Sequence, residues 1–207
     1  MIYQIKPVIG ASTKEKLIQY LKKDNWLTEY KYTLEFEKRF AKFTNSKECI
    51  SFPNGTTTLT AILDCLNLKK NDEILVSNYT MVASANAAKF LGLKVKLIDI
   101  SKTDLCMCPQ DLKKKITKKT KAVIYTQMNG RIGQIEEISN ICKKNKIYLI
   151  EDVSQAHGAK YKGKKLGSFG IIGCFSCYPT KNLGAIGDAG IITTNNKKLY
   201  DKMKLLR

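Results

Sequence analysis

Arginine is nearly absent from this chain. Of its 36 basic residues only three are arginines (Arg39, Arg131 and Arg207), although the net charge is +18. Nucleic-acid recognition leans on arginine, whose planar fork reads bases and phosphates with paired hydrogen bonds. A lysine-dominated surface reads as a solvated face, so no nucleic-acid partner is expected. Histidine occurs once, at His157. That excludes a His-rich metal site, and a Ser-His-Asp triad would have to rest on this one ring. A lone histidine is more often structural than catalytic. There is no stretch of about 18 apolar residues, so no membrane span is expected. Lys6 and Pro7 near the start are followed by no long apolar core, so the start is not read as a signal peptide.

Other signatures are missing too. There is neither a Gly-x-x-x-x-Gly-Lys-Ser/Thr loop nor a Gly-x-Gly-x-x-Gly turn, which argues against P-loop and dinucleotide sites. Among the seven cysteines, Cys106 and Cys108 form a Cys-x-Cys, not the Cys-x-x-Cys of common zinc or redox sites. Cys49, Cys65, Cys142 and Cys174 sit in apolar contexts. Reduced structural thiols in a cytoplasmic protein fit this usage.

What is present suffices for a core: 207 residues, 43% of them hydrophobic, fit one fairly large domain. Residues 1–47 read as a helical segment of that domain, with helices at 14–23 and 33–43. In the second, Phe36, Phe40 and Phe43 recur at helical spacing and predict one core-facing stripe. From residue 48 the rhythm is strand–helix–strand. Strands are expected at 48–52, 73–77, 94–99, 121–125, 147–150, 171–176 and 190–194, with a hairpin at 161–167. Helices are expected at 57–66, 80–91, from Pro109, at 136–144 and at 196–207. Such alternation predicts a three-layer α/β/α domain around a mostly parallel sheet.

Three stretches carry chemistry. Asn54-Gly-Thr-Thr-Thr58 is a strand–turn–helix junction rich in hydroxyls. Amides at a helix N-terminus can cradle a phosphate, although the same residues can simply cap the helix. Asp152 follows an apolar strand and falls where open α/β sheets bind ligands. It could equally cap the following turn. Lys181 lies in a Gly-rich loop after another apolar strand, with Ser176 five residues before it. An amine held at such an edge, partly desolvated, can become a nucleophile. Together these are the parts of a pyridoxal phosphate (PLP) site, with a phosphate cup, an acid for the ring nitrogen and an amine for the aldehyde.

At this point the chain resembles the DegT/StrS-type sugar aminotransferases, PLP enzymes of fold type I. Asn54-Gly-Thr-Thr-Thr-Leu59, Ile150-Glu-Asp-Val-Ser-Gln-Ala-His-Gly158 and the run from Gly167 to Gly190 that contains Tyr178-Pro-Thr-Lys-Asn-Leu-Gly184 carry the resemblance. Weaker similarity runs through Trp26-Leu-Thr28, Tyr79 to Asn86 and Met128 to Arg131. The resemblance implies that Lys181 holds PLP as a Schiff base and shuttles protons. It implies that Asp152 pairs with the ring nitrogen, Gln155 contacts the phenolic oxygen, and Thr56, Thr57 and Ser176 hold the phosphate. Position 81 would cover the ring face; relatives often place an aromatic there, whereas this chain has Met81. The family's Gly-Pro after the early threonine is replaced by Glu-Tyr-Lys after Thr28.

The implied reaction moves an amino group, typically from glutamate, to a keto group of a nucleotide-linked sugar, for polysaccharide or surface-glycan precursors. Related sugar dehydratases carry histidine in place of this lysine, so Lys181 points to the aminotransferase branch. Family members run to nearly twice this length. Residues 48–207 would be the PLP-binding large domain of a homodimer, without the small C-terminal domain. A truncated, inactive or split-gene fragment of such an enzyme, or a PLP-dependent sugar dehydratase, is the alternative expectation.

Overall fold

The computed structural model describes residues 7–23 and 31–207. The expectations placed on Trp26-Leu-Thr28 and on the residues after Thr28 lie outside these. Two helices come first, α1 (Ala11–Lys23) and α2 (Lys31–Thr44). Then follow β1 (Glu48–Phe52), α3 (Gly55–Cys65), β2 (Glu73–Ser77), α4 (Ala83–Phe90), β3 (Lys94–Ile98) and α5 (Pro109–Lys115). After these come β4 (Thr120–Thr126), α6 (Ile135–Lys144), β5 (Tyr148–Asp152), the hairpin β6 (Lys160–Tyr161) and β7 (Lys164–Lys165), β8 (Ile172–Ser176), β9 (Gly190–Thr194) and α7 (Lys197–Lys204).

Seven strands form one sheet in the order β1-β9-β8-β5-β4-β2-β3. It is parallel except at β9, which runs antiparallel to both β1 and β8. Strand alternation sorts the apolar residues onto two faces. Ile74, Val76, Ala122, Ile124, Ile150 and Ile192 pack into one core with residues of α3, α4 and α7. Leu75, Val123, Tyr125 and Leu149 point the other way, into a core shared with α5 and α6. A third cluster on that second side joins Phe40 of α2 to Cys49, Phe175 and Ile191. Sequestering each such aliphatic side chain contributes about 1.5–3 kcal/mol.

The structure differs from expectation in three places. Strand β5 extends to Asp152, two residues beyond the apolar run, because Tyr125 and Thr126 pair with Glu151 and Asp152. Helix α4 begins at Ala83 rather than at residue 80; the Thr80 hydroxyl is instead bonded to Thr126. The aromatic stripe of α2 tapers outward. Phe40 is buried edge-to-face on Phe175, 5.0 Å between centroids, but Phe43 is 44% exposed beneath the Lys165 ammonium. Helix α1 forms as expected, yet none of its residues is buried.

Candidate active site

The C-terminal ends of β5 and β8 and the N-terminus of α3 converge on one cavity of about 600 Å³. Asn54 caps α3. Its side chain accepts the Thr57 amide at 2.9 Å, and the Thr57 hydroxyl accepts the Asn54 amide at 3.2 Å. That reciprocal cap explains why the helix starts here. It also occupies Thr57, so the structural reading of this threonine holds alongside its place on the cavity wall. The amides of Gly55 and Thr56 find no acceptor among the described residues, as expected for a first helical turn. They carry the positive end of the helix dipole.

Gly55 is glycine for a spatial reason. A Cβ there would sit 2.7 Å from Cβ of Ser176. The helix end is thereby pressed against the end of β8. The Ser176 amide donates to Ser154 Oγ at 2.9 Å, and its hydroxyl oxygen accepts the Tyr178 amide at 3.3 Å. The hydroxyl proton stays available to a ligand.

Asp152 ends β5, only 4% exposed. One carboxylate oxygen accepts the Ser154 amide at 3.1 Å. The other faces the hydroxyls of Ser84, at 3.3 Å, and Thr126, at 3.5 Å. Lys181 is half-buried on the loop between β8 and β9. Its amide donates to the Tyr178 carbonyl at 2.8 Å, and Ala185 and Cys177 close the loop with bonds of 2.8 Å. A Cβ on Gly184 would lie 2.5 Å from the Pro179 carbonyl oxygen, so this turn also demands glycine. His157 packs on Phe175 with 5.5 Å between centroids. Burial, reinforced by the nearby Lys181 charge, lowers its pKa from 6.5 to about 4 and keeps it neutral. It is a structural residue rather than an acid or base poised at neutral pH.

Of the residues singled out in the sequence, Thr56, Thr57, Met81, Asp152, Ser176 and Lys181 all line the cavity. Met81 stands at the mouth, 63% exposed. Gln155 lies off this wall. Its Oε1 accepts the Asn129 amide at 2.8 Å, which leaves its NH2 group as the free end. Sequence reasoning missed Ser154, Tyr178, Thr180 and Asp188, which also line the cavity. Their closeness to Asp152 and Lys181 in the chain was the available signal. A cleft of similar size, about 630 Å³, lies between α1 and α2, but its described walls hold lysines and tyrosines without an acid. Size therefore does not single out the site; convergence of amine, carboxylate and helix N-terminus does. Among the described residues no cluster of potential metal ligands exists.

Known proteins share this fold. The GDP-perosamine synthase of Escherichia coli O157:H7 is 33% identical over 202 residues, 97% of this chain and 54% of that protein. The Helicobacter pylori aminotransferase involved in the biosynthesis of pseudoaminic acid superposes with a TM-score of 0.93 at 26% identity, covering 99% of this chain and 55% of that one. The E. coli GDP-4-keto-6-deoxy-D-mannose-3-dehydratase with bound hydrated PLP superposes with a TM-score of 0.88 at 27% identity, covering 99% and 55%. The chain spans about half the length of the curated relatives it matches. The family profile takes in residues 7–207, nearly everything described above, and the chain belongs to the DegT/DnrJ/EryC1/StrS aminotransferase family.

Proposed function

We propose that this chain is the cofactor-binding domain of a PLP-dependent aminotransferase that delivers an amino group, from glutamate, to a keto group of a nucleotide-linked sugar. The observation that carries this reading is the meeting of Lys181, Asp152 and the α3 N-terminus in one cavity. The donor set fits the cofactor. Two unpaired helix amides and the free proton of Ser176 suit a phosphate dianion, with Thr56 beside them. A carboxylate whose oxygens both act as acceptors suits a protonated ring nitrogen. The free NH2 of Gln155 suits an anionic phenolic oxygen.

Bound there, PLP supplies a protonated ring that takes up the electron pair left on a substrate carbon. Asp152 holds the ring-nitrogen proton. Lys181 would hold the aldehyde carbon and would move a proton between the substrate carbon and cofactor C4′. Thr56 and Ser176 would anchor the phosphate, with Thr57 beside them holding the helix start through its cap with Asn54, and Met81 would cover the mouth. A sugar dehydratase on this fold is the second reading, motivated by the dehydratase relative; the amine at position 181 favours transamination. Residues 48–207 form the PLP domain on this reading, with the preceding helices as part of it. The full site belongs to a homodimer serving glycan-precursor synthesis, and the seven free thiols suit the cytoplasm.

Adding PLP to the purified chain gives an absorbance band near ~420 nm that is lost in Lys181→Ala. Glutamate then discharges the band and yields 2-oxoglutarate. A wild-type chain without the band overturns the cofactor reading; a band that glutamate leaves unchanged overturns transamination.

A further inference from the structure

Asp152 is the floor of the cavity, and three hydroxyls from three separate segments surround it. Thr126 ends β4, Ser84 lies in the first turn of α4, and Thr80 precedes that helix. Thr126 is 3% exposed and Ser84 fully buried. Ser84 Oγ and Thr126 Oγ1 both donate to Oδ2 of Asp152. Behind them, Thr80 Oγ1 donates to Thr126 at 2.9 Å and lies 3.0 Å from Ser84 Oγ. Each hydroxyl has a single proton. With those of Thr126 and Ser84 directed at the carboxylate, Thr80 is left to donate into the pair from behind. All three protons thus run toward Oδ2, while Oδ1 takes the Ser154 amide. The arrangement closes only if both Asp152 oxygens act as acceptors.

We propose that Thr126, Ser84 and Thr80 are positioning residues that hold Asp152 as an anion aimed at the cofactor's ring nitrogen. The proposal rests on the cofactor reading above. The hydroxyls never touch the cofactor; they act through Asp152. The other ionisable groups around the carboxylate are Cys174, paired with it in register on β8, and Tyr178, Lys181 and Asp188 on the cavity wall. The wall residues from α3 and α4 are neutral. Among the described residues no fixed cation other than Lys181 lines the cavity, and Lys181 would be engaged by the aldehyde with the cofactor bound. The hydroxyls are therefore the standing support for the negative charge. At 3.3 and 3.5 Å both bonds are long, so each contributes less than a short charged hydrogen bond.

Two measurements test this, one without the cofactor. In the apo chain, a double-mutant cycle pairs Thr126→Val with Asp152→Asn by urea unfolding. Thr126→Val destabilises the wild type more than it destabilises the Asp152→Asn background. With the cofactor, Thr126→Val and Ser84→Ala each raise the PLP concentration for half-loading roughly three- to tenfold. Both also move the 15N resonance of ring-labelled PLP toward its unprotonated position, which a purely structural role would leave in place. Thr126→Ser restores loading and resonance. Additive unfolding energies overturn the proposal, as do variants that keep the wild-type resonance or a Thr126→Ser that behaves like valine. If the wild type takes up no PLP, the cofactor reading fails, and the apo cycle still decides whether the hydroxyls support Asp152.

Discussion

Glu151 and Asp152 are adjacent carboxylates on one strand, and they have opposite fates. Glu151 points to the closed side of the sheet and is fully buried. Its two oxygens accept the amides of Gly167, Phe169 and Gly170 at 2.8, 2.6 and 2.7 Å, and Gln127 Nε2 at 3.4 Å. Burial pushes its pKa up, while the three amides pull it down. Asp152 points to the open side, held by longer hydroxyl contacts, with the cavity before it. Glu151 is consumed in fixing the loop that leads into β8, whose direct pairing with β5 runs only from Ile172 to Cys174. Asp152 keeps capacity for a ligand. A buried carboxylate is available for chemistry only where the backbone has not already claimed its lone pairs.

The contrast can be broken most forcefully at Glu151. Glu151→Ala strands one buried and two part-buried amides and lowers unfolding free energy by about 3–5 kcal/mol, read from urea denaturation. Next in size is a pH effect on the same closed side. His157 is held near pKa 4 in the fold against 6.5 unfolded, so the unfolded chain binds the extra proton between those values. Stability is full above pH 6.5 and falls by about 3 kcal/mol as pH drops toward 4. In His157→Phe that slope flattens, because the ring that titrates is gone while packing on Phe175 is kept. A profile unchanged by the substitution assigns the acid limb elsewhere.

On the open side the expected stability losses are smaller. Gly55→Ala forces the helix end away from Ser176, costing about 1–3 kcal/mol and weakening PLP loading. Smallest is Asp152→Ala, which changes unfolding by less than about 1 kcal/mol yet abolishes cofactor loading. Should Asp152→Ala unfold as readily as Glu151→Ala, the division between a structural and a functional carboxylate collapses.

Much of the fold was legible because period-two apolar runs bounded by turn residues leave few alternatives. The strands at 48–52, 73–77 and 190–194 fall where expected. Less visible was the end of β5, where Glu151 and Asp152 look like loop residues until their partners on β4 and β8 are in place. Phe43 was misjudged for a related reason. Helical spacing assigns a face but says nothing of where along the helix the neighbouring layer ends. The antiparallel direction of β9 was not legible either: residues 177–189 are long enough for a crossover, and only the pairing of β9 with β1 and β8 fixes its direction.

The sequence by itself determined the chemical inventory of this protein: one amine in a glycine-rich loop, one acid at the end of an apolar strand, a hydroxyl-rich helix start, and the family they belong to. Those signals are local, since turns, caps and strand ends are written in neighbouring residues. Only the tertiary structure decided which carboxylate stays free, and that Thr80, Ser84 and Thr126 gather around Asp152. These facts depend on contacts between residues 16 to 68 positions apart, and no local pattern encodes them.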